Sequence, residues 1–395
     1  MSVPALARRS DEIAPFYVME LVKEADRLER AGHSIVHLSI GEPDFTAPEP
    51  VVQAACVAIE AGRSQYTPAL GIAPLREAIS RHYRDHFGLH VEPDRIVVTA
   101  GASAALVLLL SALLDCGDEV LLPDPSYPCN RHIISTLGAC SRLIACGPAE
   151  RFQLGAAAVE SAWSAQTRGV LIGSPSNPTG TTVETSELRR LCDRVLARDG
   201  FVVVDEIYQG LTYDREPATA LALDERVAVI NSFSKYFGMT GWRLGWIVAP
   251  REWVATLERL SQNLYICPSA VAQHAALACF DPASLEIYEQ RREQFRQRRN
   301  FLLPALQQLG FAIPVVPDGA FYVYADISEL ARKQGGGRED SSQFARRMLH
   351  EAGVCLVPGK DFGQSGCERY VRLSYATSME NLREAMARMR AHLGR

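Results

Sequence analysis

Lys235 is the residue whose type and setting first suggest chemistry. The chain has 395 residues but only four lysines: Lys23, Lys235, Lys333 and Lys360. Three of them lie in polar or turn-like sequence. Lys235 falls between two strand-like apolar runs, VAVIN and LGWIVA, and the stretch 228–250 carries one other charge, Arg243. An unpartnered buried ammonium is costly and tends to lose its proton. A neutral lysine amine attacks carbonyl carbon to form an imine. A lysine on an exposed loop between two core strands would look the same from this stretch, so both readings stand open at this point.

Other groups with chemical potential sit where apolar runs end. Gly101, Ala102 and Ser103 follow RIVVTA and open an apolar helix, where free N–H groups and the helix dipole attract anions. A plain strand-to-helix turn is the alternative. Asn177 lies in SPSNPTG, and Asn-Pro is also an ordinary turn. Asp205 ends FVVVD, a run too apolar for an unpaired carboxylate; a salt bridge or a cap would serve equally. Tyr208 is three residues further on. Ser232, Ser234 and Arg243 surround Lys235 and could hold phosphate through hydroxyls and a guanidinium fork. An anion cradle, a buried carboxylate, an imine-forming lysine and a tyrosine together suit pyridoxal 5'-phosphate, with the carboxylate keeping the pyridine nitrogen protonated.

These positions need strands to carry them to one place. Continuous apolar runs at 96–99, 119–124, 169–173, 201–205, 227–231 and 244–249 alternate with helical patterns at 48–61, 71–87, 103–115 and 185–198. That texture predicts an α/β domain with a mostly parallel sheet. In such sheets, ligands bind beyond the carboxyl ends of the strands. Residues 15–31 place Val18, Leu21, Val22, Ala25 and Leu28 on one helical stripe. Residues 251–280 and 283–309 read as helices, and an α+β module follows. Gly335, Gly336 and Gly337 read as a surface loop, because no strand feeds them. The expected division is an N-terminal arm belonging partly to the small domain (1–45), a large cofactor-binding domain (46–282) and a small C-terminal domain (283–395).

Composition bounds the function classes. Hydrophobic residues make up 47% and charged residues 22%, as in a soluble globular protein. A net charge of -5 and a pI near 6.0 argue against a nucleic-acid scaffold. The ten cysteines are scattered singly, without CxxC or Cys/His metal spacing, so no metal and no disulfide framework is expected. The first residues show no signal peptide and no run reaches membrane length, so a cytoplasmic protein is expected.

Ten motifs in order carry a family resemblance over nearly the whole chain: IGEPDF (40–45), YTPALG (66–71), TAGAS (99–103), DPSYP (124–128), SPSNPTG (174–180), DEIY (205–208), SFSKYFGMTGWRLGW (232–246), GAFYV (319–323), VPGKDFG (357–363) and VRLSYA (371–376). With them the chain resembles the fold-type-I, class I/II aminotransferases of the bacterial aspartate, aromatic and alanine branch. The resemblance implies a large domain built on a seven-stranded sheet, a smaller α+β domain and pyridoxal phosphate as cofactor. It makes Lys235 the Schiff-base lysine and proton carrier. Asp205 would pair with the pyridine nitrogen, and Tyr208, joined by Asn177, with the ring hydroxyl. Ala102, Ser103, Ser232 and Arg243 would hold the phosphate, and Tyr127 would stack on the ring. Arg372 would bind the substrate carboxylate, with Gly41 and Asn177 lining that pocket. Arg369 is a rival outside the motif. Tyr66 would reach the phosphate of a neighbouring subunit, implying a homodimer.

The implied reaction is ping-pong transfer of an amino group from an L-amino acid to a 2-oxo acid, either 2-oxoglutarate or pyruvate. Aspartate-using members often carry a lysine near the position of Ser103; here the loop reads GASAAL, which favours a neutral or aromatic donor. A β C–S lyase or a cyclopropane-forming synthase on the same cofactor is the alternative. A cofactor-sensing transcription regulator is remote, because only about 45 residues precede the catalytic-type region, without a helix-turn-helix.

Overall fold

The computed structural model describes residues 5–15, 17–334 and 339–394. The expected Gly335–Gly337 loop lies outside them. After helix α1 (Tyr17–Arg30) come strand β1 (Val36–His37), α2 (Glu49–Glu60) and α3 (Ala73–Phe87). Then follow β2 (Ile96–Thr99), α4 (Ala102–Leu113), β3 (Glu119–Asp124), α5 (Pro128–Thr136) and β4 (Cys140–Ala145). The central part continues with α6 (Ala156–Ala162), β5 (Thr167–Gly173), α7 (Thr185–Leu196), β6 (Phe201–Asp205), β7 (Ala228–Ser232) and β8 (Gly245–Val248).

These last seven strands form one sheet in the order β2-β8-β7-β6-β5-β3-β4. Only β8 runs against its neighbours, pairing antiparallel with both β2 and β7. Apart from the edge strand β4, the strands are mostly apolar because both faces are covered. Val97, Leu171, Val203 and Ile230 pack with Leu106 and Leu109 of α4 on one face. Val98, Ile172, Val204 and Val229 join the other, larger core.

Beyond the sheet run α8 (Arg251–Leu264), α9 (Ala270–Ala276) and the long α10 (Pro282–Gln308). The stretch expected to be helical throughout 251–280 is therefore interrupted at 265–269. Ile266 has φ +68, and Pro268 both lacks an N–H and restricts the residue before it. The C-terminal part holds β9 (Tyr322–Asp326), α11 (Ser328–Gln334), α12 (Ser341–Arg347), β10 (Val354–Cys355), β11 (Val357–Pro358), β12 (Tyr370–Ser374) and α13 (Met379–Leu393). Helix α11 has no counterpart among the elements expected from sequence. Strands β11, β12 and β9 form a three-stranded antiparallel sheet. The parallel pairing of β1 with β10 ties the start of the chain to this C-terminal module. Among the described residues no helix is long and apolar enough to cross a membrane.

Candidate active site

The carboxyl ends of β5, β6 and β7 and the start of α4 open into a cavity of about 690 Å³. Parallel strands bring residues far apart in sequence to one edge, so Ala102, Ser103, Asn177, Asp205, Tyr208 and Lys235 all line it. The opposite wall comes from α1, from residues 39–42, from the loop at 361–362 and from Tyr322 and Arg372.

Lys235 is the one lysine on this cavity; Lys23 and Lys333 pair with surface glutamates and Lys360 is exposed. Its amine donates to the Gly41 carbonyl at 2.6 Å. Burial depresses the amine from its ordinary value to about 8; the Glu42 carboxylate opposes the shift, while the charges of Arg372 and Arg243 add to it. A substantial neutral fraction near physiological pH is what a nucleophilic amine requires.

Asp205 ends β6, and among the described residues its carboxylate accepts one hydrogen bond, from Ile207 N–H at 3.1 Å. Burial raises it to about 6, against the pull of that N–H and of Lys235. A buried carboxylate so thinly partnered calls for a cationic ligand group. Tyr208 shares a 2.8 Å hydrogen bond with the Tyr322 hydroxyl, and burial pushes its phenol well above the ordinary range. Tyr127 lines the same space, and burial raises its phenol too.

At the α4 end, Gly101 has φ +85, and a Cβ there would stand 2.7 Å from Arg243 Nη2. The glycine lets the guanidinium sit against the first turn of α4, whose N–H groups are free of intrahelical partners. Arg243 is itself in the left-handed region, at φ +53. Ser232 lies one step behind this cradle: its hydroxyl meets that of Ser234 at 2.7 Å and the Leu244 carbonyl at 3.1 Å. Ser234, rather than Ser232, lines the cavity.

Arg372 leaves β12 and is buried. Its Nη1 donates to Asn177 Oδ1 at 2.9 Å and its Nη2 to the Ser39 carbonyl at 2.6 Å. Its guanidinium lies 4.4 Å from the Tyr322 ring centre and 4.9 Å from that of Phe362. Among the described residues its Nε is buried without a hydrogen-bond partner. Arg369 instead bonds Asp326 and the Tyr370 hydroxyl away from this space. Tyr66 is 80% exposed and absent from its own chain's cavity wall.

The lining residues not singled out from sequence include Tyr322, Glu42, Asp361, Phe362 and the apolar Met19 and Ile40. Tyr322 sits inside the GAFYV motif, so the motif held a signal for it. Val18 and Val22 lie on the expected stripe, which does not say that they face a ligand space. The donor set fits a flat, phosphate-bearing pyridine aldehyde: a guanidinium and helix start for the phosphate, a carboxylate for the ring nitrogen and an amine for the aldehyde.

Known proteins agree with this chemistry. The family described as Aminotransferase class I and II matches residues 33–389. A valine–pyruvate aminotransferase of Mycobacterium tuberculosis is 38% identical over 95% of this chain and 96% of its own length. An aspartate/prephenate aminotransferase of Thermus thermophilus is 37% identical over 99% of both chains. The crystal structure of an aminotransferase from Mycobacterium tuberculosis superposes with a TM-score of 0.93 at 37% identity, covering 99% of this chain and 100% of the other.

Proposed function

The chain belongs to the class I and II aminotransferases, a pyridoxal-phosphate-dependent family, and from that premise we propose that it transfers the amino group of a neutral, apolar L-amino acid to a monocarboxylic 2-oxo acid such as pyruvate. One observation carries the substrate class. The cavity's cations are Lys235, Arg243 and Arg372, and each already has a group to meet. Lys235 takes the cofactor aldehyde, Arg243 the cofactor phosphate and Arg372 the substrate α-carboxylate. Among the described residues that line this chain's cavity, none remains for a second carboxylate. Glu42 and Asp361 would repel one, while Val18, Met19, Val22, Ile40 and Phe362 offer an apolar wall.

In this reading Lys235 holds the cofactor covalently, and Asp205 faces its ring nitrogen. Tyr208 and Asn177 face its ring oxygen, and Tyr127 its flat face. Ala102 and Ser103 N–H groups, Arg243 and the Ser232–Ser234 hydroxyl pair hold its phosphate. The bound cofactor supplies an electron-withdrawing ring and carries the amino group between the two substrates. Arg372 receives the substrate carboxylate through its guanidinium, whose plane Asn177 and Ser39 fix. The apolar wall excludes water from the substrate side chain. Lys235 Nζ takes the proton from Cα of the amino acid and returns one to the corresponding carbon of the oxo acid. Tyr66, exposed here, completes the phosphate site of a second copy in a homodimer. We retain the division into 1–45, 46–282 and 283–395.

The test is a donor and acceptor panel on the purified holoenzyme. Valine, leucine or phenylalanine with pyruvate is expected to exceed aspartate with 2-oxoglutarate by about tenfold or more in kcat/KM, the scale of one unmet charge contact. Aspartate as the best donor would overturn the substrate class. Borohydride should fix the cofactor to Lys235, and label elsewhere would overturn the assignment of the lysine.

A further inference from the structure

Helix α1 forms one wall of the cavity through Val18, Met19 and Val22, while its Leu21 and Ala25 anchor in the core. A helix start leaves N–H groups without partners, normally satisfied by a side chain just upstream. Here they are met from far away. Tyr17 N–H donates to Asp361 Oδ1 at 3.1 Å, and Val18 N–H donates to Asp361 Oδ2 at 3.3 Å. Asp361 lies 344 residues further along the chain and is buried.

The loop carrying Asp361 is itself held on the large sheet. Arg131 Nη2 donates to the Asp361 carbonyl at 3.0 Å, and Ser126 N–H to the Phe362 carbonyl at 2.9 Å. The Asp124 carboxylate, at the end of β3, accepts from Gln364 and Ser365 N–H groups at 2.9–3.1 Å. A Cβ on Gly363 would fall 1.7 Å from Asp124 Oδ1, so only glycine allows this approach. The next residue after Asp361, Phe362, lies under the Arg372 guanidinium. One short loop therefore touches the carboxylate-binding arginine on one side and the helix that walls the side-chain space on the other.

We propose that Asp361 is a positioning residue for substrate choice: it fixes the start of α1 so that Val18, Met19 and Val22 close on an apolar substrate side chain. This rests on the proposed assignment of Arg372 to the substrate carboxylate. Asp361 need not touch the substrate; it acts through the helix. Its removal weakens the binding of long apolar side chains more than that of short ones.

The test compares wild type, Asp361→Asn and Asp361→Ala holoenzymes, with two carboxylates that cannot react: acetate and 4-methylpentanoate. Binding is measured by calorimetry. Wild type is expected to prefer 4-methylpentanoate; Asp361→Ala should lose about tenfold of that preference, the size of one lost helix cap, while acetate binding stays within about threefold. Asp361→Asn keeps one acceptor and should fall between. In turnover, the loss should appear in KM for leucine rather than in kcat. Equal weakening for both carboxylates, or an unchanged preference, would overturn the proposal. If wild type binds neither carboxylate, the assignment of Arg372 fails, and trypsin cleavage at Lys23 within α1 then decides on Asp361 by itself. Faster cleavage in Asp361→Ala than in wild type supports the latch, and equal rates refute it.

Discussion

On the cofactor side of the cavity, Ala102, Asp205 and Lys235 each stand within a few residues of the end of a strand in the large sheet. On the substrate side, Val18, Ile40 and Phe362 come from a helix and two loops near the ends of the chain. The first set follows strands of the sheet that are buried on both faces. The second is held largely by polar contacts that cross hundreds of residues, such as Asp361 to Tyr17 and Val18, and Arg298 to Asp44 at 2.7 and 2.9 Å. The chemistry thus sits at the edge of a buried sheet, and selection of the side chain sits on a helix and loops joined across the chain by polar contacts. Substitutions on the two sides should therefore fail differently: the first in kcat, the second in KM and preference.

The largest effect is expected at Lys235. Lys235→Ala should lower turnover by about ten-thousand-fold or more, since nucleophile and proton carrier are lost together. Borohydride should then leave no cofactor fixed to the chain. Residual turnover near wild type would break the comparison at its centre. Asp205→Ala comes next. The cofactor should still be fixed to Lys235 by borohydride, but kcat should fall by at least about a hundredfold, the scale of one removed electrostatic partner. Undiminished kcat would refute the role of Asp205. On the substrate side, Arg372→Lys keeps the charge but loses the fork and the stacking on Tyr322 and Phe362. A loss of about ten- to a hundredfold in kcat/KM, mainly through KM, is expected for every donor alike. A change in donor preference instead would mean that Arg372 reads the side chain rather than the common carboxylate.

The same contrast governs what was legible in the sequence. Runs such as FVVVD and IVVT announce strands buried on both faces, and the residue after each run lands at the ligand edge by topology alone. Asp205, Lys235, Ala102 and Arg243 can therefore be placed from local sequence and motif. SFSK offers two hydroxyls, Ser232 and Ser234; which of them faces the cavity depends on the turn after β7, not on spacing. The substrate wall is illegible for a different reason. Val18 and Val22 look like any core stripe, and nothing near residue 17 reveals that its N–H is capped from residue 361. The break at 265–269 escapes notice because Tyr265 and Ile266 continue an apolar pattern, while their backbone turns ahead of Pro268.

The smallest effect tests whether the two sides are electrically joined. Lys235 belongs to the sheet edge, yet the group that most opposes the depression of its amine is Glu42, on the substrate-side loop. Glu42 is held there by the Thr240 hydroxyl, which donates to its Oε1. Only the neutral amine attacks the cofactor aldehyde. The rate of attachment to cofactor-free protein should therefore rise with pH and level off above about 8, not near the ordinary lysine value of 10.5. Below that point each pH unit should cost about tenfold. Glu42 favours the ammonium, so Glu42→Gln must lower the midpoint and speed attachment at pH 7. Because Glu42 is exposed and screened, the gain should be only about twofold. A slower rate at pH 7, or a plateau that begins at higher pH than in wild type, would mean that Glu42 acts by holding the loop and the Gly41 carbonyl in place rather than by its charge. The substrate side would then govern the lysine through geometry alone.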